Sequence, residues 1–187
     1  MNLTVILGTA RVHRQSQFVA DLVKQKAQDA EKWNIEYIDV KDWMNVERTI
    51  PNWEKESLDQ TEKWRAVVKN TDAFLCIVPE YNHGYPGEFK LLIDQASTDD
   101  YLHKPVAVCG VSRGDLGGAR VLEHLLQLWG GIGAVFAGSV RFPQVEEIFD
   151  ESGNIQDEKY LPRIEKMLTQ LLAYAEAMEN VRNTLKK

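Results

Sequence analysis

Four or five short apolar runs alternate along the chain with stretches whose apolar residues recur every three or four positions. The runs are NLTVILG (2–8), NIEYIDV (34–40), DAFLCIVP (72–79), KPVAVCGV (104–111) and GAVFAGSV (133–140). Most place Val, Ile, Ala and Leu on consecutive positions, the pattern of strands covered on both faces. Helical spacing marks about 16–32, 55–70, 86–97 and 118–129, and LPRIEKMLTQLLAYAEAMENV closes the chain. Strand and helix in alternation imply right-handed crossovers and a parallel sheet with helices on both faces. Five strands with five helices fit the doubly wound α/β order 2-1-3-4-5, whose ligand crevice lies at the carboxyl ends of the strands beside the switch point.

Strands one, three and four border that crevice, and the loops after them are GTARVHRQS, EYNHGYPG and SRGDLGG. All three are richer in Gly, Asn, Ser, Arg and His than the remaining connections. PEYNHGYPGEFKLLIDQAS, from Pro79 to Ser97, is half turn and half helix: Asn82, Gly84, Pro86 and Gly87 stop a strand, and Phe89, Leu92, Ile93 and Ala96 then follow at helical spacing. Two connections are irregular, KDWMNVERTIPNWEK with Trp43 and Trp53, and VRFPQVEEIFDESGNIQDE. With no repeat, low-complexity segment or linker, the expectation is a single domain over 1–187.

Composition narrows the function. The chain has 187 residues, 44% hydrophobic and 27% charged, enough for one sizeable core. A net charge of -6 argues against a nucleic-acid partner, which selects a basic face. Apolar runs fall short of the roughly 18 residues of a membrane span, and the first residues lack a basic leader, so a cytoplasmic protein with no membrane association is expected. Cys76 and Cys109 each sit inside an apolar run without a metal-ligand partner and read as buried free thiols.

The first loop precedes a helix predicted to begin near Ser16, and helix N-termini favour anions. Thr9 and Ser16 offer hydroxyls, and Arg11, with Arg14 as a second candidate, offers a planar contact to phosphate. GxGxxG and GxxxxGK[ST] are both absent, so a single monophosphate fits better than a dinucleotide or a triphosphate. The plainer alternative makes Ser16 an N-cap and leaves the arginines solvated.

Taken together, GTARVHRQS, PEYNHGYPGEFKLLID and GVSRGDLGGAR resemble the signatures of the NAD(P)H-dependent FMN reductases, which include flavodoxin-like quinone, azo-dye and chromate reductases; EEIFDESGNIQDE resembles their acidic segment before the last helix. The chain departs from the family at Phe89, Leu91 and Gln95, where Leu, Asn and Trp are usual. The resemblance implies a flavodoxin-like fold, FMN as cofactor and NADPH or NADH as co-substrate. Thr9, Arg11, Ser16 and Gln17 would then serve the phosphate. Pro79, Glu80, Tyr81, Asn82, His83 and Gly84 would run beside the isoalloxazine ring, with Ser112, Gly114, Gly117 and Gly118 on its pyrimidine and ribityl side. Flavin carries the chemistry, so no catalytic side chain is expected, His83 included.

Lys90 and Asp94 suggest an ion pair within the helix or between subunits. Glu80 reads equally as a hydrogen-bonding loop residue, Arg120 as a surface charge, and Arg113 as either a nucleotide contact or a solvated group. The implied reaction passes two electrons to quinones, azo compounds, flavins or similar small acceptors in a ping-pong cycle. A homodimer or homotetramer is implied, with Trp43, Trp53 and Phe89 at or near the interface, or else simply covering the sheet. A flavodoxin-type electron carrier or a flavin-dependent redox sensor is the alternative, since fold alone does not separate them.

Overall fold

In the computed structural model, which describes residues 1–44, 48–50 and 58–185, five parallel strands lie in the order β2-β1-β3-β4-β5. They are β1 (Asn2–Leu7), β2 (Asn34–Asp39), β3 (Ala73–Pro79), β4 (Pro105–Val111) and β5 (Val135–Phe142). The predicted order is the observed one. Every residue of β3 and β4 is buried, which explains why those strands read as unbroken apolar runs. β5 begins and ends two residues later than its apolar run, with a register irregularity opposite Val106 and Ala107.

Helices α1 (Ser16–Asp29) and α7 (Tyr160–Leu185) cover one face of the sheet. The other face carries α2 (Asp59–Asn70), α3 (Gly87–Ile93), α4 (Thr98–Tyr101) and α5 (Ala119–Gly131). A short α6 (Val145–Ile148) follows β5. Spacing decides which side of each helix is buried: Val19, Val23 and Ala27 on α1, and Val121, Leu125 and Trp129 on α5, recur every four residues. Strand alternation divides the core in the same way. Leu75 and Ile77 face α1 and α7, whereas Phe74, Cys76 and Val78 face the other layer. Cys76 and Cys109 are both buried on opposite faces of the sheet, where they cannot bond to each other.

Helical spacing predicted one helix over 86–97, but the chain stops at Ile93 and restarts at Thr98, capped by the Ser97 hydroxyl. Two of the departures from the family pattern on this segment, Phe89 and Gln95, are packed within the chain. Phe89 is fully buried against the first loop: a Cβ at Gly8 would lie 2.9 Å from its ring. Gln95, 1% exposed, accepts from the Ile50 amide and the Thr61 hydroxyl and donates to the Leu91 carbonyl. Phe89 is therefore a core residue rather than a surface available to another subunit. Trp43 packs edge-on against Trp64 at 5.8 Å, and Trp53 lies outside the described residues. Among the described residues no helix is long and apolar enough to cross a membrane, and no group of acidic, His or Cys side chains could hold a metal ion.

Candidate functional site

The loops after β1, β3 and β4 meet at the carboxyl end of the sheet around a cleft of about 150 Å³. Arg11, Ser16, Pro79, Glu80, Tyr81 and Ser112, all marked in the sequence, line it; so do Arg14 and Arg113, and His13, Gln15 and Val145, which sequence reasoning passed over.

The first loop is held from several sides. The Thr9 hydroxyl donates to Glu88 at 3.2 Å and accepts the Arg11 amide at 3.2 Å. It also lies 3.0 Å from the Tyr81 hydroxyl. A hydroxyl has one hydrogen and two lone pairs. With its hydrogen on Glu88, Thr9 must accept from Tyr81, and it has no hydrogen left for a phosphate. Thr9 therefore shapes the loop instead of donating into it. Glu88 also accepts the Ala10 amide at 3.0 Å, so the start of α3 anchors the first loop through a residue of the second signature to which the sequence assigned no role.

Arg14 is similarly committed. Its guanidinium forms a two-pronged pair with Asp39, both side chains 8% exposed, and donates to the Thr9 carbonyl and to Gln17 at 2.8 Å. Burial alone would push the Asp39 carboxyl up, but hydrogen bonds from Arg14 and Lys41 outweigh it and hold it below the usual carboxylate range. Gln17 is occupied at both ends, accepting from Arg14 and donating to Asp21 at 3.0 Å and Tyr37 at 3.3 Å. Neither residue is free for an anion. Adjacency of β1 and β2 in the predicted order was the available signal for Asp39, since it sets the end of β2 beside the first loop.

Two groups remain uncommitted. Arg11 is exposed, forms no ion pair among the described residues, and lies 5.6 Å over the Tyr81 ring. The Ser16 hydroxyl, on a residue 2% exposed at the first position of α1, has no hydrogen-bond partner. Ser16 is not the N-cap: Gln15 holds that position, without a side-chain cap bond.

In the second loop, Tyr81 and Gly84 exchange two backbone hydrogen bonds of 2.9 Å around Asn82 and His83. Both central residues have positive φ, 48° and 70°, so this is a two-residue hairpin turn of the primed kind. Asn82, His83 and Gly84 thus form the rim beyond the cleft, where His83 faces a neighbouring groove with Arg120 and His124. The Glu80 carboxylate accepts the Arg120 and Val121 amides at 3.1 and 3.4 Å and pairs with the Arg120 side chain. It caps α5, giving Glu80 and Arg120 the structural parts that the plainer reading allowed.

In the third loop the Ser112 hydroxyl donates to the Gly114 carbonyl at 2.8 Å. Gly117 and Gly118 have φ of +60° and +76°, and a Cβ there would come within 2.8 Å of Pro143 and 2.9 Å of the Val111 nitrogen. Those glycines are required by the chain itself. A Cβ at Gly114 would meet nothing within 4 Å. Arg113 pairs with Glu146 across the loop, and Lys90 pairs with Asp94 within α3.

The fold is flavodoxin-like, with a cleft beside the switch point that holds an arginine without an ion pair among the described residues and an unpartnered serine hydroxyl. Comparison with known proteins agrees. The NADPH-dependent FMN reductase family matches residues 1–146, and the chain belongs to it. It is thus an oxidoreductase whose cofactor is FMN and whose electron donor is NAD(P)H. It is 26% identical to an NADPH azoreductase of Bacillus sp. (strain OY1-2), over 99% of this chain and 98% of that protein. A quinone reductase of Escherichia coli is 27% identical over 62% of this chain and 63% of its own length. Among solved structures, the flavoenzyme NAD(P)H:(acceptor) oxidoreductase FerB from Paracoccus denitrificans superposes with a TM-score of 0.74 at 21% identity, covering 95% of this chain and 98% of that one. A cysteine-to-alanine mutant of flavodoxin from Pseudomonas aeruginosa superposes with a TM-score of 0.61 at 18% identity, covering 91% of this chain and 99% of that one, so the fold is shared with flavodoxin too.

Proposed function

We propose that the chain holds FMN at this cleft without a covalent link, with its phosphate on the first loop, and passes two electrons from NADPH or NADH to small acceptors such as quinones, azo compounds or free flavins in a ping-pong cycle. One observation carries the assignment: the buried Ser16 hydroxyl, unpartnered and set at the N-terminus of a 14-residue helix beside an unpaired arginine. A buried polar atom without a partner is costly. A phosphate would accept the Ser16 hydroxyl and the Arg11 guanidinium at the positive end of α1.

FMN would supply the two-electron chemistry; the protein's part is to bind and orient it. Arg11 and Ser16 hold the phosphate, while Thr9, Arg14 and Gln17 fix the loop that presents them. Pro79 to Gly84 and Ser112 to Gly114 provide backbone along the two sides of the ring. Gly117 and Gly118 permit the sharp turn into α5. The rim residues Asn82, His83 and Gly84 lie where a second subunit could close the site, and we propose a homodimer or dimer of dimers on the same grounds.

Titration of the apoprotein with FMN and riboflavin tests the phosphate assignment. Arg11→Ala and Ser16→Ala should each weaken FMN about tenfold or more, the value of a charge-assisted contact, with riboflavin nearly unchanged. Equal losses for both ligands would remove the phosphate from the first loop.

A further inference from the structure

On the far side of the 112–118 loop a second cleft, of about 450 Å³, opens along the edge strand β5. Its lining includes the apolar Leu116, Pro143 and Met167 together with Arg141 from β5 and Arg163 and Lys166 from α7. Among the described residues none of these three cations forms an ion pair. Arg141 donates to the Leu116 carbonyl at 3.4 Å, and Arg163 lies 5.5 Å over the Tyr160 ring. The chain has 28 acidic against 22 basic residues, so three unpaired cations converging on one cleft run against its overall charge. Asp115 is the carboxylate in the cleft's lining, and Asp157, held by Lys159, lies near Arg163. Such a cleft concentrates a multiply charged anion.

Other arginines near the flavin site are neutralised: Arg14 by Asp39, Arg113 by Glu146 and Arg120 by Glu80. Arg11 and Ser16 already have the flavin phosphate to hold. Among the described residues, no arginine free of both a counter-ion and the flavin phosphate is left at the flavin cleft for the phosphates of NADPH. The loop that walls the flavin cleft with Ser112 and Arg113 walls the second cleft with Asp115 and Leu116, so the two are neighbours across a few residues.

We propose that the β5–α7 cleft binds the phosphate-bearing adenosine end of NADPH. Arg141, Arg163 and Lys166 serve as its cationic contacts, and the apolar lining residues pack against the base. The inference rests on the reductase reading and adds a basis for preferring NADPH to NADH, which differ by one ribose phosphate.

Calorimetric titration of FMN-loaded protein with NADP+ and NAD+ tests it, using wild type, Arg163→Ala/Lys166→Ala and Lys166→Glu. All the altered side chains are exposed, so folding is not at stake. Wild type should bind NADP+ about tenfold or more tighter than NAD+, and both variants should bring the two within about twofold, one charge-assisted contact being worth at least that factor. In steady state the KM for NADPH should rise by a similar factor, with kcat, FMN content and the KM for NADH unchanged. NADP+ affinity unaltered by either variant, or NAD+ weakened by the same factor, would overturn the assignment. If wild type oxidises neither reduced nucleotide, the reductase reading falls, while the NADP+ and NAD+ titrations still judge the cleft.

Discussion

The hydroxyls of Thr9 and Tyr81 lie 3.0 Å apart although 72 residues separate them in sequence. This contact ties the loop assigned to the phosphate to the loop assigned to the flavin ring, and Glu88 holds the first loop from the start of α3. Glu88→Ala should weaken FMN about tenfold, since two hydrogen bonds to a carboxylate are lost and the Ala10 amide is freed. Glu88→Gln should largely restore binding, because its side-chain carbonyl accepts from the same two donors. Fluorescence titration separates these outcomes; FMN affinity unchanged in Glu88→Ala would make Glu88 a spectator.

Asp39→Asn leaves the Arg14 guanidinium buried with a neutral amide oxygen, the Thr9 carbonyl and Gln17 in place of its counter-charge, and should cost about 3 kcal/mol in denaturant unfolding. The pH dependence follows from the sign of the shift. A carboxyl held low in the folded protein adds stability that is fully present above its unfolded value, near 3.9, and is lost as pH falls through the lower folded value. Wild type should therefore lose stability below about pH 4 more steeply than Asp39→Asn. Parallel acid-denaturation curves would contradict the account.

Most of the architecture was legible because the strands carry unmistakable patterns. β3 and β4, buried on both faces, announce themselves as unbroken apolar runs, and their alternation with helices fixes a parallel sheet. The break at Asp94 was hidden, because helical spacing continues from Phe89 across it to Ala96. Within the site, residue type identified the loops but not the state of each side chain. Thr9, Arg14 and Gln17 have suitable groups for a phosphate, yet their partners Glu88, Asp39 and Tyr37 come from distant segments. Only tertiary structure shows that the hydrogen-bonding capacity is already used.

The glycines of the third loop divide by stability. Gly117→Ala and Gly118→Ala should each cost about 2 kcal/mol or more, combining a left-handed backbone with a clash. Gly114→Ala should fall within about 0.5 kcal/mol of wild type. Chemical denaturation of the apoprotein gives the comparison, and a large loss at Gly114 would mean its backbone is under constraints not evident from its surroundings.

Cys76 and Cys109 are completely buried, and burial pushes both thiols above their ordinary range. Folded protein should react with a disulfide reagent only as fast as it unfolds, with both thiols released together in denaturant. Rapid labelling under native conditions would indicate an opening of the sheet layers.

The central claim is that FMN bound at this cleft takes two electrons from a reduced nicotinamide nucleotide and returns them to a small acceptor without a partner protein. Anaerobic stopped-flow mixing of the FMN-loaded protein with NADPH tests it most directly. The account predicts bleaching of the flavin band straight to the two-electron-reduced spectrum, full recovery of colour on adding a simple quinone, and parallel double-reciprocal plots in steady state. Bound flavin that stays oxidised in excess NADPH and NADH, yet accepts a single electron from a one-electron donor and holds it, would contradict the account and make the protein an electron carrier.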